Sequence, residues 1–268
     1  MIHPSAVIHP RATLDPSVTV GPCSVIDAHV VLGAGNVVGP HVYITGHTTI
    51  GVGNQFHAGS VIGNTPQDFK YKGEPTRLRI GDHNTFREHV TLHVSNKMEE
   101  DTVIGSHCFL MQGSHVGHNS VLGDRVIFGG CVMLGGHVLV QDGAFLSGTC
   151  MVHQFCRVGA YAIMQATSAI SQDLPPYTIA RGLNGICGLN IIGLRRNGFT
   201  AEQRLELKKL YHLLFRRGLR RVEAVEQARA LYQSETARRM IDFVESSKRG
   251  VCADTGHRRK TGAEEAEL

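Results

Sequence analysis

Residues 104–140 read IGSHCF-LMQGSH-VGHNSV-LGDRVI-FGGCVM-LGGHVL-V, and the first position of every six is a large apolar residue. The same period runs without a break from Ile2 to Ile62 and, after two interruptions, continues from Ile104 to Ile170. A helix repeats about every 3.6 residues and a strand every second residue, so neither explains this rhythm. A period of six residues is typical of a parallel β-helix, in which each hexad forms one side of a coil.

Three hexads form one triangular coil, so residues eighteen apart in sequence stack at a spacing of about 4.8 Å. The apolar column fills the interior, and each coil contacts only its neighbours, so the ends require capping. Gly often follows the apolar residue, as at Gly21 and Gly33. We expect these glycines at tight corners, where a positive φ is tolerated.

The repeat divides the chain into segments. We predict a β-helix over residues 1–190, interrupted by loops at 64–79 and 94–103, where the sequence becomes polar and charged. A small helical domain is predicted over 191–250. The polar segment 251–268 is predicted to be a disordered tail.

The helical domain has recognisable start signals and a basic composition. Thr200 and Gln203 have the spacing of a capping box, and further helices are predicted at Val222–Tyr232 and Glu235–Glu245. The segment Arg195–Arg249 holds 14 Lys or Arg against 7 Asp or Glu, an excess of +7. The excess is explained either by solvated helix faces or by a docking surface for an acidic partner.

Composition limits the function classes. The net charge of +4 over 268 residues does not indicate a nucleic-acid-binding protein. No apolar run approaches the length of a transmembrane helix, and because the repeat starts at Ile2 we expect no signal peptide. Seven Cys without CxxC spacing indicate a reducing compartment, so we expect a cytoplasmic protein.

The chain has 16 His, and most fall singly at outer or corner positions. The eighteen-residue spacing brings one polar group into a single patch across three successive coils: His115, His118, His137, His153 and Gln154. Imidazole titrates near neutral pH, so this patch suits general acid–base chemistry. Gly136 stacks on His118, and its backbone N–H is a candidate donor to an oxyanion.

Two other interpretations of the His patch stay open. Polar residues stacked on a solvated face are one. A zinc site is the other, because some hexapeptide β-helix proteins are zinc carbonic anhydrases with three His ligands. Those proteins have a His-x4-His pair, whereas the spacing here is His115-x2-His118, without a matching carboxylate framework. We therefore predict a site without metal or other cofactor.

Six segments resemble one known family in order along the chain: QDFKYKGEPT (67–76), HVGH (115–118), GGHV (135–138), VHQFC (152–156), QDLPPY (172–177) and GF (198–199). They are similar to the UDP-N-acetylglucosamine O-acyltransferases, which start lipid A synthesis, and the similarity covers residues 1 to about 250. The first segment and VHQFC are specific to the family. The hexapeptide repeat is shared by many acyl- and acetyltransferases.

The resemblance implies a left-handed β-helix, a C-terminal helical domain and a homotrimer with sites between subunits. It implies transfer of an (R)-3-hydroxyacyl chain from acyl carrier protein to the 3-hydroxyl, or in some members a 3-amino group, of a UDP-sugar. The carrier is acidic, which favours docking on the basic helices. Another nucleotide sugar as acceptor, and a scaffold with a relict site, are the alternatives.

The resemblance also assigns roles. His118 is the general base and the Gly136 N–H the oxyanion donor, while Ala166 occupies the position that limits acyl-chain length. The remaining matched positions contact substrate, with Lys70 at the phosphopantetheine or carrier and Asn190 with one of Arg195 or Arg196 at the nucleotide: Asp68, Lys70, His93, His115, His137, His153, Gln154, Asn190, Arg195 and Arg196.

Several positions depart from the family pattern, including Asn197, where the family tends to have a third basic residue after Arg195 and Arg196. Asn119 replaces the Asp that follows the catalytic His, so the sequence predicts a weaker base and a faster enzyme after Asn119→Asp. Ile192 replaces a carboxylate near the nucleotide. Ala166 lies between the Gly that admits a long chain and the bulky residue that shortens the groove, which predicts a medium or slightly shortened acyl chain.

Overall fold

A computed structural model describes residues 1–256, and its main body consists of three sheets wound around a common apolar interior. The first sheet has nine strands: Val7–Ile8, Val25–Ile26, Tyr43–Ile44, Val61–Asn64, Thr91–His93, His115–Val116, Met133–Leu134, Met151–Val152 and Ala169–Ile170. The second has eight: Thr13–Leu14, Val31–Leu32, His47–Ile50, Arg77–Ile80, Asp101–Ile104, Val121–Leu122, Leu139–Val140 and Arg157–Val158.

The third sheet has eleven strands: Thr19–Val20, Val37–Val38, Gln55–Phe56, Thr85–Phe86, Phe109–Leu110, Ile127–Phe128, Phe145–Leu146, Ile163–Met164, Thr178–Arg181, Gly185–Leu189 and Ala253–Asp254. Consecutive strands of the chain enter the three sheets in turn. The fold is therefore the predicted left-handed parallel β-helix.

The pairing register confirms the eighteen-residue spacing. Val116 pairs with Leu134 across the first sheet, and both side chains are buried in the interior. At the first loop the sequence spacing between paired residues is longer than eighteen, because the loop lies between Ile62 and its partner Leu92. Each loop therefore leaves the coil and returns without disturbing the stack.

The predicted bounds of both loops are corrected. The first loop spans 65–76 and the second 94–100, rather than 64–79 and 94–103. The reason is that Arg77–Ile80 forms ladders with the strands on both sides, including Asp101–Ile104. Backbone hydrogen bonding to two neighbours thus extends these strands into polar sequence that suggested loops.

Positive φ occurs at a different corner position from the one expected. Gly21 and Gly33 do not have positive φ; a Cβ on Gly21 would instead lie 2.8 Å from the backbone carbon of Gly39 in the next coil. Left-handed residues occur three positions before the apolar one, including Asn119 and His137, each with φ 58°. Close stacking of coils, not backbone torsion, thus explains those glycines.

Beyond the coils, the part of the chain up to residue 256 forms a hairpin and four helices. Thr178–Arg181 and Gly185–Leu189 pair antiparallel on the third sheet. The helices are α1 (Ile191–Arg196), α2 (Ala201–Arg216), α3 (Arg221–Leu231) and α4 (Glu235–Glu245). The capping box of Thr200 and Gln203 at the start of α2 is confirmed. Among the described residues, none of these helices is long and apolar enough to cross a membrane.

The predicted disordered tail is wrong for its first residues. Ala253–Asp254 pairs with Gly185–Ile186 at the edge of the third sheet, and Cys252 is buried. Arg216 at the end of α2 donates to the Asp254 carboxylate. These contacts compensate for the polar composition that suggested disorder, while residues 257–268 lie outside the described part of the chain.

One buried carboxylate joins the helical domain to the β-helix. Asp173 accepts hydrogen bonds from the backbone N–H of Arg157 (2.8 Å), from its guanidinium (2.7 and 2.9 Å) and from Ser247 Oγ (2.8 Å). The guanidinium also lies 4.2 Å from the centre of the Phe243 ring on α4. A buried charge with this many donors is stabilised only while all of them are present.

We predict that Asp173→Ala lowers the free energy of unfolding by about 3 kcal/mol, because it leaves the Arg157 guanidinium partly buried without its carboxylate. Asp242→Ala is the matched control, since Asp242 pairs with Arg229 on the surface and should cost less than about 1 kcal/mol. Urea unfolding of both variants measures the difference. Equal losses would show that Asp173 does not hold the domains together.

Candidate active site

A groove of about 360 Å³ runs along the corner between the first and second sheets. Its walls come from the first loop and from four successive coils: Gln67, His93, His115, Gly117, His118, Leu134, Gly135, Gly136, His153 and Gln154. The coil spacing therefore brings together the His patch that the sequence predicted. The small residues between the imidazoles leave room for a ligand against the wall.

His118 is held by the residue that follows it. Its Nδ1 lies 2.8 Å from Asn119 Oδ1. That oxygen also accepts from the backbone N–H of Asn96 (2.9 Å), so it is an acceptor and Nδ1 of His118 carries the proton. Nε2 of the neutral ring is then unprotonated and available as a general base.

Gly136 lies directly against the His118 ring. A Cβ added at Gly136 would lie 2.7 Å from both Nε2 and Cε1 of that imidazole. Only glycine therefore fits at this position without displacing the ring. The Gly136 backbone lies beside the basic nitrogen, which is where an oxyanion donor must be to act on the atom that the base activates.

His137 lies on the other side of the base. Its ring meets that of His118 edge to face, at 5.2 Å between centroids, and stacks on Phe155 at 4.6 Å. Its Nδ1 is 3.5 Å from Glu100 Oε2. Burial lowers the pKa of His137, and repulsion from the nearby His118 lowers it further. Both effects favour the neutral ring near pH 7.

His93 and His115 form the deeper wall. His93 Nδ1 donates to the Thr65 carbonyl at 2.6 Å, and His115 Nδ1 lies 2.9 Å from Thr91 Oγ1. Burial lowers the pKa of His93 and, with added repulsion from His93 and His118, lowers that of His115 to about 4. Both rings are therefore suited to hydrogen bonding with a polar substrate rather than to carrying charge.

The two loops meet over the groove. Asp68 of the first loop accepts from Asn96 Nδ2 of the second at 2.6 Å, and from the backbone N–H of Lys70 at 3.0 Å. These hydrogen bonds hold the pKa of Asp68 below its usual range, and the bond from the Lys70 backbone N–H has the largest effect. Since Asn96 also donates to Asn119, the loops position both Asp68 and the pair formed by His118 and Asn119.

His153 and Gln154 form the exposed end of the groove. Arg249 Nη2 lies 3.2 Å from His153 Nδ1, which also lies 3.1 Å from the Gln154 carbonyl. The two bonds exclude each other, because a guanidinium only donates and a carbonyl only accepts. Nδ1 of His153 therefore makes only one of these two hydrogen bonds at a time, depending on which ring nitrogen carries the proton.

The remaining predicted residues are not brought into this groove. The Asn190 amide caps α1 by accepting from Gly193 and donates to the Tyr161 carbonyl, while Arg195 and Arg196 are exposed on α1. The exposed Ala166 is at a different corner, between the third and first sheets. Their roles, and that of the exposed Lys70, stay predictions.

Sequence reasoning missed several groups that position the site: Thr65, Thr91, Asn96, Glu100 and Arg249. Thr91 could have been found, because it lies one coil below His115 once the loop length is known. The others lie in the loops or after α4, where no period fixes their position.

Comparison with known proteins gives a consistent result. Residues 173–252 match the family Udp N-acetylglucosamine O-acyltransferase; Domain 2, and residues 101–136 match Bacterial transferase hexapeptide (six repeats). The acyl-[acyl-carrier-protein]–UDP-N-acetylglucosamine O-acyltransferase of Herminiimonas arsenicoxydans is 42% identical over 258 residues, covering 94% of this chain and 98% of the relative.

Solved structures extend the likeness to three dimensions. The UDP-N-acetylglucosamine acyltransferase of Francisella novicida has a TM-score of 0.92 at 34% identity, covering 95% of each chain. That of Arabidopsis has a TM-score of 0.83 at 33% identity, covering 94% of this chain and all of the other. With the β-helix, the His groove and nearly full-length similarity in agreement, this chain belongs to the UDP-N-acetylglucosamine O-acyltransferase family.

Proposed function

We propose that the protein transfers an (R)-3-hydroxyacyl chain from acyl carrier protein to the 3-hydroxyl, or 3-amino group, of UDP-N-acetylglucosamine, the first step of lipid A synthesis. The observation that carries the proposal is the fixed tautomer of His118, whose Nδ1 donates to Asn119. Its unprotonated Nε2 lies beside Gly136 in the groove. The names of the relatives support the same reaction.

In the proposed reaction, His118 Nε2 removes the proton from the acceptor as its oxygen attacks the thioester carbonyl. The Gly136 N–H donates to the oxygen that becomes negative, and the thiolate leaves with the proton that His118 received. His93 and His115, which burial keeps neutral, bind the sugar with Asp68, His137, His153 and Gln154 beside them. No residue in this sequence of steps requires a cofactor.

We propose a homotrimer because the predicted residues divide between two corners of one chain. The His groove follows the first sheet, whereas Ala166 precedes it. A neighbouring copy that places its Ala166 corner against the His groove would complete one site. Phe69 supports this arrangement, since it is fully exposed on the first loop and suits burial against another subunit.

A zinc hydratase is the alternative from another class. Within residues 1–256, no three His, Cys, Asp or Glu side chains converge as a metal requires. The donor set of one chain does not fit zinc, and metal analysis of the purified protein tests the point.

We also propose a cytoplasmic location. Support comes from the cysteines, because all seven are free, and Cys108, Cys150, Cys156 and Cys252 are buried. Free thiols of this kind persist in a reducing compartment.

The first experiment is acyl transfer from 3-hydroxyacyl carrier proteins of graded chain length to UDP-N-acetylglucosamine, in chelator. We expect one preferred medium chain, and a loss of about 10²-fold or more in His118→Ala, because the general base is removed. His3→Ala, an exposed change in the first coil, is the control. Full activity of His118→Ala would exclude this mechanism, and activity with another sugar alone would change the acceptor.

We propose that acyl carrier protein docks on the basic helices. Lys208 and Lys209 are exposed on α2, and Arg217 and Arg220 are exposed just beyond it. A cluster of one sign attracts a partner of the other and accelerates encounter.

We predict that Lys208→Glu with Lys209→Glu raises KM for the acyl carrier protein about tenfold with little change in kcat, because steering is lost. The effect should weaken with added salt. Acyl pantetheine without the carrier is the control substrate and should respond equally to wild type and variant. An unchanged KM for the carrier would remove α2 from the docking surface.

We predict a pH dependence of stability from His115. Its pKa is about 4 in the fold and near 6.5 when unfolded, so the unfolded chain binds more protons between these values. The free energy of unfolding should therefore be highest above about pH 6.5, where His115 is neutral in both states, and should fall as pH decreases towards 4. His115→Gln should reduce this slope by about 1 kcal/mol per pH unit, measured by urea unfolding. An unchanged slope would contradict the prediction.

A further inference from the structure

The Asn119 amide is fixed from three sides. Its Oδ1 accepts from His118 Nδ1 (2.8 Å) and from the Asn96 backbone N–H (2.9 Å), while its Nδ2 donates to Glu100 Oε2 (2.9 Å). The Asn119 backbone N–H donates to Thr102 Oγ1 at 2.8 Å. Because donors surround one end of the amide and a carboxylate the other, its orientation is determined.

Glu100 is thus connected to the base through a single amide. A carboxylate that accepts from an amide NH₂ group draws positive charge to it and makes the amide oxygen a better acceptor. Lys97 Nζ holds the other Glu100 oxygen at 2.9 Å, which leaves Oε2 facing Asn119 and His137. Lys97 first, and then Asn119, favour the ionised carboxylate and lower the pKa of Glu100.

We propose that Glu100 is a positioning residue of the acyl transfer, supplying through Asn119 the negative charge that the residue beside the base lacks. The inference rests on the function proposed above. When His118 takes the acceptor proton, the imidazolium forms at one end of this chain of hydrogen bonds and the Glu100 carboxylate is at the other. The charge pair stabilises the transition state as the new C–O bond forms and the C–S bond breaks.

Other charged or titratable groups also face His118 from the coils and both loops: Asp68, His93, His115, His137 and Lys97. None of them contacts the Asn119 amide. Lys97 and His137 also contact Glu100 itself, so the pH profile of Glu100→Gln is interpreted together with that of the exchange of functional groups described below.

The first test is Glu100→Gln, whose side-chain oxygen can still accept from Asn119 Nδ2 while the charge is lost. We expect kcat to fall about fivefold to tenfold with KM for the sugar nucleotide unchanged. The midpoint of the acidic limb of the kcat–pH profile should move to lower pH, because the imidazolium loses its counter-charge. Glu99→Gln removes the same charge from the exposed neighbouring residue and should change neither quantity.

The second test exchanges the two functional groups. Asn119→Asp alone places a carboxylate against that of Glu100, so we expect activity below that of wild type, contrary to the expectation from sequence. Combined with Glu100→Gln, the new amide can donate to the new carboxylate. The double variant should recover at least wild-type kcat and return the acidic limb to higher pH.

The outcomes separate two failures. Wild-type protein without activity on any acceptor would overturn the proposed function and this role with it. An active wild type whose kcat and pH profile are unaffected by Glu100→Gln would overturn only the role of Glu100. If Glu100→Gln fails to fold, Glu100→Asp keeps the charge with a shorter reach and should give a smaller loss of kcat; wild-type activity in Asn119→Asp would then overturn the proposal.

Discussion

The parallel stacking of coils is the constraint on which the structure depends. Each strand has only two residues in most coils, so a strand is stable only because the coils above and below it pair in the same register. A shift of one residue would turn the apolar column outward. Register is therefore strongly specified, and the positions of His118 and Gly136 relative to each other follow from it.

This constraint explains which features were predictable. The β-helix, the His patch and the Gly136 contact follow from the period, because stacking converts sequence spacing into distance. The period says nothing about residues that leave the coils. Asn96 and Glu100 reach the site through loop geometry, and Ala253–Asp254 joins the third sheet because a hairpin edge is available.

The corner geometry explains why the residue after the base is short and polar. Asn119 has φ 58°, a conformation in which Asn and Asp are the best tolerated residues after Gly. Its side chain folds back to the ring of the preceding residue from that backbone position. Of the two residue types, Asp carries its own negative charge, whereas the side-chain NH₂ group of Asn can donate a hydrogen bond to a carboxylate of another residue.

The second loop supplies that charge in this chain, and this changes how the site should respond to mutation. In a site with Asp beside the base, a nearby acidic residue would be repelled, so the loop and the corner residue must be compatible with each other. Here Asn119 allows Glu100 to approach to 2.9 Å, with Lys97 balancing its other oxygen. A substitution at one position is therefore informative only together with the other, because the charge belongs to the pair and not to either residue alone.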